Sequence, residues 1–262
     1  MSKYRRNNKR STDWDSVAGW YDGWVGEKGS EYHRKFAVPA LMELLRPGRG
    51  EEILDIGCGQ GILAPFIARA RGHYTGVDAS VKMLRLGRRR HGREGKFVLG
   101  DAGDLAALPE LQGDAFDAAL FMLSIQNMEP LEDVLRSASW ALKAGGRLVL
   151  LLLHPCFRLP RQSGWGWDRD RKLQYRRVDR YKTPYFLHVK VPLGGRKGTT
   201  VNFHRPLESY INGLADAGLL VDRIQEIPVC LAPRTGPRGR AEEAANREIP
   251  LFLGIRAMKI GR

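Results

Sequence analysis

An α/β fold, with a mostly parallel sheet covered by helices on both faces, is what this 262-residue sequence predicts. Three observations predict it. Short apolar runs alternate with helix-length segments, the pattern that builds parallel sheets through helical crossovers. The first run, Glu51 to Ile56, ends in three glycines spaced by two (Gly57, Gly59, Gly61) before apolar sequence resumes. The runs that follow end in acids, Asp78 and Asp101.

Each element has a local reason. The glycine turn connects a strand to a helix over Ile62 to Arg71, with Leu63, Phe66, Ile67 and Ala70 on one face. Such a turn lets a ligand lie against bare backbone, with amide N–H groups pointing outward. It is not a phosphate loop of the NTPases, because Ile62-Leu63-Ala64 follows Gly61 where Lys and Ser or Thr are needed. Nor does it carry the dinucleotide spacing, since Gly59 and Gly61 are two apart rather than three. The second strand, His73 to Asp78, places Asp78 19 residues past Gly59, where a carboxylate can accept from both hydroxyls of a ribose. Ser80 is the predicted cap of the next helix, which leaves Asp78 free for that role.

The third strand, Lys96 to Gly100, leads to Asp101-Ala102, with Asp104 close behind, and the fourth, Ala115 to Met122, leads to Leu123-Ser124-Ile125-Gln126-Asn127. A helix over Leu131 to Leu142 is expected to stop at the pair Gly145-Gly146 before a long strand, Arg147 to Leu153. Downstream, Pro206 to Ala217 reads as a helix, and Leu219 to Ile227 and Ile249 to Ile260 as strands.

Asp55-x-Gly57-x-Gly59-x-Gly61, with acids at the ends of the next two strands, resembles the first motifs of the class I S-adenosylmethionine-dependent methyltransferases. The resemblance implies a Rossmann-like three-layer α/β/α fold with a seven-stranded sheet whose last strand is antiparallel. It implies S-adenosyl-L-methionine as cofactor, cradled by Asp55, Gly57, Cys58, Gly59 and Gly61. It further implies that Asp78 and Ala79 meet the ribose, Asp101 and Ala102 the adenine, and Leu123 and Ser124 the methionine side. Trp14 to Asp22 resembles the Asp-x-x-Ala-x-x-Tyr-Asp segment of the quinone-biosynthesis methyltransferases and their small-molecule relatives, where it forms a lid; Tyr21 is then the lid residue over the sulfonium. His154-Pro155-Cys156-Phe157, His204-Arg205-Pro206-Leu207 and Ala217-Gly218-Leu219 resemble the same subgroup.

The organisation expected is a disordered basic tail over 1–12 and one methyltransferase domain over 13–262, with a lid at 13–46 and a substrate-side insertion at 155–200. His154, at the end of the fifth strand, is the candidate general base, because histidine titrates near neutral pH. Gln126, Asn127, His33, Trp165, Trp167, Tyr185 and His204 are candidates for binding the methyl acceptor. Cys156, Cys58 and Cys230 form no CxxC pair, so neither a zinc site nor a disulfide framework is indicated, and no metal is expected. The thiolate chemistry of cytosine methylation lacks its Pro-Cys dipeptide, and the Asp/Asn-Pro-Pro-Tyr motif of nitrogen methylation on adenine is missing.

A formal charge of +14 raises an RNA partner as the alternative to a small-molecule acceptor. Within the insertion, Arg158, Arg161, Arg169, Arg171, Lys172, Arg176, Arg177, Arg180 and Lys182 are interleaved with Trp165, Trp167, Tyr175, Tyr181, Tyr185 and Phe186, which suits phosphate tracking and base stacking. Against this, Arg outnumbers Lys 31 to 12 throughout the chain. The expected reaction is methyl transfer to oxygen or nitrogen of a small molecule, with carbon as a further option; a non-catalytic cofactor-binding or assembly protein is the alternative outside enzymes. No apolar run of membrane-spanning length and no apolar signal core occurs, so a cytoplasmic monomer or homodimer without a membrane partner is expected.

Overall fold

One seven-stranded sheet runs in the order β10-β11-β5-β4-β1-β2-β3. The computed structural model describes residues 13–193, 196–231 and 235–261; the expected basic tail, 1–12, lies outside them. The strands are β1 (Glu52–Ile56), β2 (His73–Asp78), β3 (Gly95–Leu99), β4 (Phe116–Met122), β5 (Leu142–Leu153), β10 (Leu219–Ile227) and β11 (Phe252–Lys259). All are parallel except β11, which pairs antiparallel with both β5 and β10, so the expected sheet, including its reversed last strand, is present.

Burial on both faces explains the apolar runs. In β5, Leu148, Leu150 and Leu152 pack on one side with α5 (Leu131–Ala141) and α6 (Leu207–Asp216). Val149 and Leu151 pack on the other with α2 (Val38–Leu45) and α3 (Ala64–Arg69). Each fully buried Leu contributes roughly 1.5–3 kcal/mol. Helix α4 (Val81–His91) starts where expected, the Ser80 side chain accepting from the Met83 N–H at 3.2 Å. It ends in Arg88, Arg89 and Arg90, cations that suit the negative end of the helix dipole. The N-terminal segment forms α1 (Asp13–Val25) and a π-helical turn, His33–Ala37, that runs into α2.

One local expectation needs correction, and two elements were not predicted. The pair Gly145-Gly146 does not stop α5: that helix ends at Ala141, and β5 begins at Leu142. Gly145 instead turns an irregularity inside β5, with φ +76°, where the pairing with β4 skips from Phe116–Leu142 to Ala118–Arg147. The insertion, for which no elements were predicted, consists of two antiparallel hairpins, β6 (Ser163–Asp168) with β7 (Leu173–Val178) and β8 (Tyr185–Leu193) with β9 (Arg196–His204). A further helix, α7 (Gly236–Glu248), was not predicted; it has no apolar stripe and offers only Ala241, Ala244 and Ala245.

Candidate functional site

The sheet order reverses between β1 and β4, and a cavity of about 590 Å³ opens there beyond the carboxyl ends of β1, β2, β3 and β4. Its floor is the glycine turn. The N–H groups of Gly57 and Cys58 donate to the Val77 carbonyl at 2.8 and 3.0 Å, and the Gly59 N–H donates to Asp78 Oδ2 at 2.8 Å. The turn is therefore sewn to β2 through the acid at that strand's end. Asp78 Oδ1 accepts from the Ser80 N–H at 2.8 Å. Burial pushes the Asp78 carboxyl above its ordinary range, and these two N–H donors oppose the shift.

The glycines divide their roles. At Gly59, φ is +55° and a Cβ would meet nothing within 4 Å, so the backbone faces open space. At Gly61, φ is +75° and a Cβ would lie 2.5 Å from the Phe97 ring. Gly61 lets the turn pack against β3, and it is absent from the cavity wall, unlike Asp55, Gly57, Cys58, Gly59, Asp78 and Ala79.

Asp55 is 2% exposed. Its Oδ2 accepts from Tyr74 Oη at 2.9 Å, whereas its Oδ1 is buried without a partner. Burial pushes this carboxyl up to about 7, the Tyr74 hydroxyl opposing and Asp78 adding to the rise. Burial also raises the Cys58 thiol, as do Asp78 and Asp55, so it is no thiolate nucleophile.

The far wall comprises Leu99, Gly100, Asp101 and Ala102 after β3, and Met122 to Ser124 with Asn127 to Glu129 after β4. Asp101 Oδ1 accepts from the Gly103 N–H at 2.9 Å, and Asp104 is not in the wall. Leu123 takes a left-handed φ of +56°, Ser124 Oγ donates to the Ile56 carbonyl at 2.8 Å, and Asn127 Nδ2 donates to the Val201 carbonyl at 2.6 Å. The last bond ties the loop after β4 to β9, and Val201 itself joins the wall.

Helix α1 closes the cavity with Trp14 and Tyr21, whose rings meet edge to face at 5.4 Å. Burial, then the nearby Asp78 and Asp55, pushes the Tyr21 phenol up to about 12. Two acids of α1 clamp it to α4. Asp15 Oδ1 accepts from Ser80 Oγ at 2.6 Å, and Asp22 takes both ends of the Arg90 guanidinium at 2.6 and 3.1 Å. Arg90 also donates to Gln60 Oε1 at 2.7 Å, and Gln60 Nε2 donates to the Gly26 carbonyl at 2.8 Å, joining α1, α4 and the glycine turn in one network.

The remaining candidates lie elsewhere. His154 is 2% exposed, and its Nδ1 accepts from the Cys156 N–H at 3.2 Å. Its Nε2 thus carries the proton toward Glu226 Oε1, 2.8 Å away. It does not line the cavity, and its bonds hold the start of the insertion. His204 bonds the Tyr181 carbonyl through Nε2 at 2.7 Å and meets the Tyr185 ring at a tilt, with centroids 4.9 Å apart, while Tyr185 Oη donates to the Pro160 carbonyl at 3.0 Å. Trp165 is flanked by Arg158 and Arg176, and Trp167 by Arg238. Gln126 Nε2 donates to the Leu123 carbonyl at 2.7 Å. His33 Nδ1 shares a 2.8 Å hydrogen bond with Ser30 Oγ, and burial pushes its pKa down to about 4. None of these six is in the cavity wall; Asn127 is.

Sequence reasoning missed Trp14, Gln60, Glu129 and Val201. Trp14 and Gln60 stand inside the two motifs and were within reach, whereas Val201 arrives through the register of a hairpin and left no sequence signal. Among the described residues no group of three or more His, Cys, Asp or Glu is arranged to hold a metal ion, and no helix is long and apolar enough to cross a membrane. All three cysteines are free thiols.

A family model described as a methyltransferase domain matches residues 54–150, the segment that carries the glycine turn and the acids after β2 and β3. Residues 54–150 are a class I S-adenosylmethionine-dependent methyltransferase domain. Relatives of the chain include the demethylmenaquinone methyltransferase of Tropheryma whipplei (strain Twist), 32% identical over 111 residues, 42% of this chain and 45% of the relative. The ubiquinone/menaquinone biosynthesis C-methyltransferase of Ruegeria sp. (strain TM1040) is 34% identical over 141 residues, 52% of this chain and 56% of that protein. The chain thus spans about half the length of the curated relatives it matches. The crystal structure of an S-adenosylmethionine dependent methyltransferase from Mesorhizobium loti superposes with a TM-score of 0.64 at 27% identity, covering 84% of this chain and 96% of that one. The two hairpins lie outside the residues that the family model matches.

Proposed function

We propose that this protein binds S-adenosylmethionine in the large cavity and transfers its methyl group to oxygen, nitrogen or carbon of a small molecule. One observation carries the reading: the cavity at the switch point is walled by Asp55, Asp78 and Asp101 in a chain of net charge +14. An acidic pocket in a basic protein selects a cationic ligand over the anions that the rest of the surface attracts. The residues fit the cofactor. Asp55 Oδ1, buried and unpartnered, accepts from an ammonium such as a methionyl amine. Asp78 retains acceptor capacity toward ribose hydroxyls, and the ring faces of Trp14 and Tyr21 attract a sulfonium by about 0.5–2 kcal/mol.

Bound there, the cofactor supplies a methyl carbon made electrophilic by the sulfonium. The chain's own task is positioning. The Asn127 amide, fixed by its bond to Val201, orients an acceptor, and α1 excludes water. Positioning of this kind is worth about 7–11 kcal/mol in well-oriented systems, so no dedicated base is required, and no histidine stands in the cavity wall. Likeness to both C-methyltransferases and other methyltransferases of quinone pathways leaves the receiving atom to experiment.

The test is calorimetric titration with S-adenosylmethionine. Asp78→Ala removes one or two charge-assisted hydrogen bonds of about 1.5–3 kcal/mol each, so affinity should fall at least tenfold. Undiminished binding by the variant sinks the assignment. Mass spectrometry of small-molecule extracts incubated with labelled cofactor then identifies the acceptor, and its failure to find any methylated product would favour the non-catalytic alternative.

A second reading, an RNA acceptor, is favoured by where the charge lies. Residues 155–200 hold twelve Lys and Arg against three Asp, most of the chain's +14. RNA affinity on these hairpins should fall steeply with salt, in proportion to the phosphates neutralised. An affinity indifferent to salt counts against it.

A further inference from the structure

A second cavity, of about 320 Å³, shares no wall residue with the first. It lies between the first hairpin, α7 and the segment after β10, and its wall includes Tyr32, Arg158, Trp165, Gln174, Cys230 and Asn246. Arg158 is half-buried. Its Nε donates to the Pro250 carbonyl at 3.0 Å and its Nη2 to the Ile249 carbonyl at 2.9 Å, while its guanidinium lies 4.9 Å from the Trp165 ring centre. On the same ring, 5.2 Å from its centre, lies Arg176, bonded to the Phe157 carbonyl and to Ser163 Oγ.

Among the described residues neither guanidinium has a carboxylate in ion-pair range. The two glutamates in the wall are engaged along their own helix, Glu242 with Arg238 at 3.5 Å and Glu243 with Arg247. A cation drawn partly out of water gains from a paired carboxylate, because the lost hydration has to be compensated. Here two stand together, and burial and then the Arg176 charge hold the Arg158 guanidinium down to about 10. The same wall contains Gln174 Oε1, a buried oxygen with no hydrogen-bond partner in the protein.

We propose that this second cavity binds a small organic carboxylate that also carries a hydrogen-bond donor, with Arg158 receiving the carboxylate and Gln174 Oε1 the donor. The anion supplies the missing counter-charge, which an uncharged isostere cannot. Trp165, near both guanidiniums, adds an apolar side to the same wall. The site is independent of the methyl-transfer reading, since its wall includes none of the residues assigned to S-adenosylmethionine.

The test uses the full chain and anthranilate, a fluorescent aromatic carboxylate bearing an amino donor, with its neutral amide, 2-aminobenzamide, as control. Saturable one-site binding of anthranilate is expected, with the amide at least tenfold weaker. Arg158→Gln should weaken anthranilate at least tenfold, and Gln174→Leu, which leaves the backbone contacts of Arg158 intact, severalfold. Asp78→Ala should change nothing at this site. Circular dichroism melts check that the variants fold, and if Arg158→Gln does not, Gln174→Leu and the amide control decide. Absence of saturable binding, equal affinity for the amide, indifference to both cavity variants, or loss of binding on Asp78→Ala would each overturn the proposal.

Discussion

Asp55 holds its proton to about pH 7 in the fold, while in an unfolded chain it releases it near 3.8. Folding therefore takes up a proton between those values, and the ligand-free protein should lose stability as pH rises from about 4 to 7. Thermal melts at pH 5 and 7.5 should differ in the wild type and converge in Asp55→Asn. The ionised form is the one an ammonium needs, so S-adenosylmethionine affinity should climb up to roughly eightfold from pH 6 to 7.5, following the ionised fraction of a group titrating at about 7. Calorimetry of the Asn variant should show a flat profile; an equal climb there would remove Asp55 from the site. The glycines give a second contrast at this scale. Gly61→Ala strains a left-handed φ and drives a methyl into the Phe97 ring, so chemical denaturation should report a loss of about 2–4 kcal/mol. Gly59→Ala meets no neighbour and should cost only about 1 kcal/mol of strain while lowering cofactor affinity, because its methyl enters ligand space.

Helix α1 reaches the cavity only because α4 holds it. Asp15 and Asp22 lie seven residues apart, two helical turns, so both face α4 and bring Trp14 and Tyr21 to the cavity. Arg90→Ala leaves Asp22 without its fork and frees Gln60 from the glycine turn. Limited proteolysis should then cut α1 faster than in the wild type, and cofactor affinity should fall with it. Arg90→Lys should recover only part, since an ammonium cannot make the paired contact. Unchanged protection in the Ala variant would mean that core contacts such as Val17 and Val25 suffice to hold the helix. The acids of α1 were legible as a motif, but their partners were not, because Ser80 and Arg90 are 65 and 68 residues away and meet them only through folding.

Across the whole molecule the two hairpins are not equivalent. The first closes on itself, with the Asp179 N–H donating to the Gln162 carbonyl at 2.9 Å at its base. Replacing residues 163–178 by a short Gly/Ser linker should thus leave S-adenosylmethionine affinity within a few fold of wild type by calorimetry, while abolishing the second cavity. The second hairpin reaches the wall of the large cavity through Val201 and Asn127, so on the proposed function its removal should reduce both cofactor affinity and any turnover. The alternation of apolar strands with helices, the glycine turn and the acids at Asp78 and Asp101 were all determined by sequence alone, because each depends on neighbours close in the chain. Even β6 and β8 carry a period-2 signal, in Trp165 and Trp167 and in Tyr185, Leu187 and Val189, within a segment for which no strand was predicted. What only the tertiary structure decided was which distant residues share a wall. His154, Trp165, Tyr185 and His204 all follow the sheet's carboxyl edge in sequence, yet hairpin register and the bond from His154 to Glu226 carry them away from the large cavity. Strand order and side-chain pairing across 70 or more residues are set by packing of the whole chain, and no local spacing encodes them.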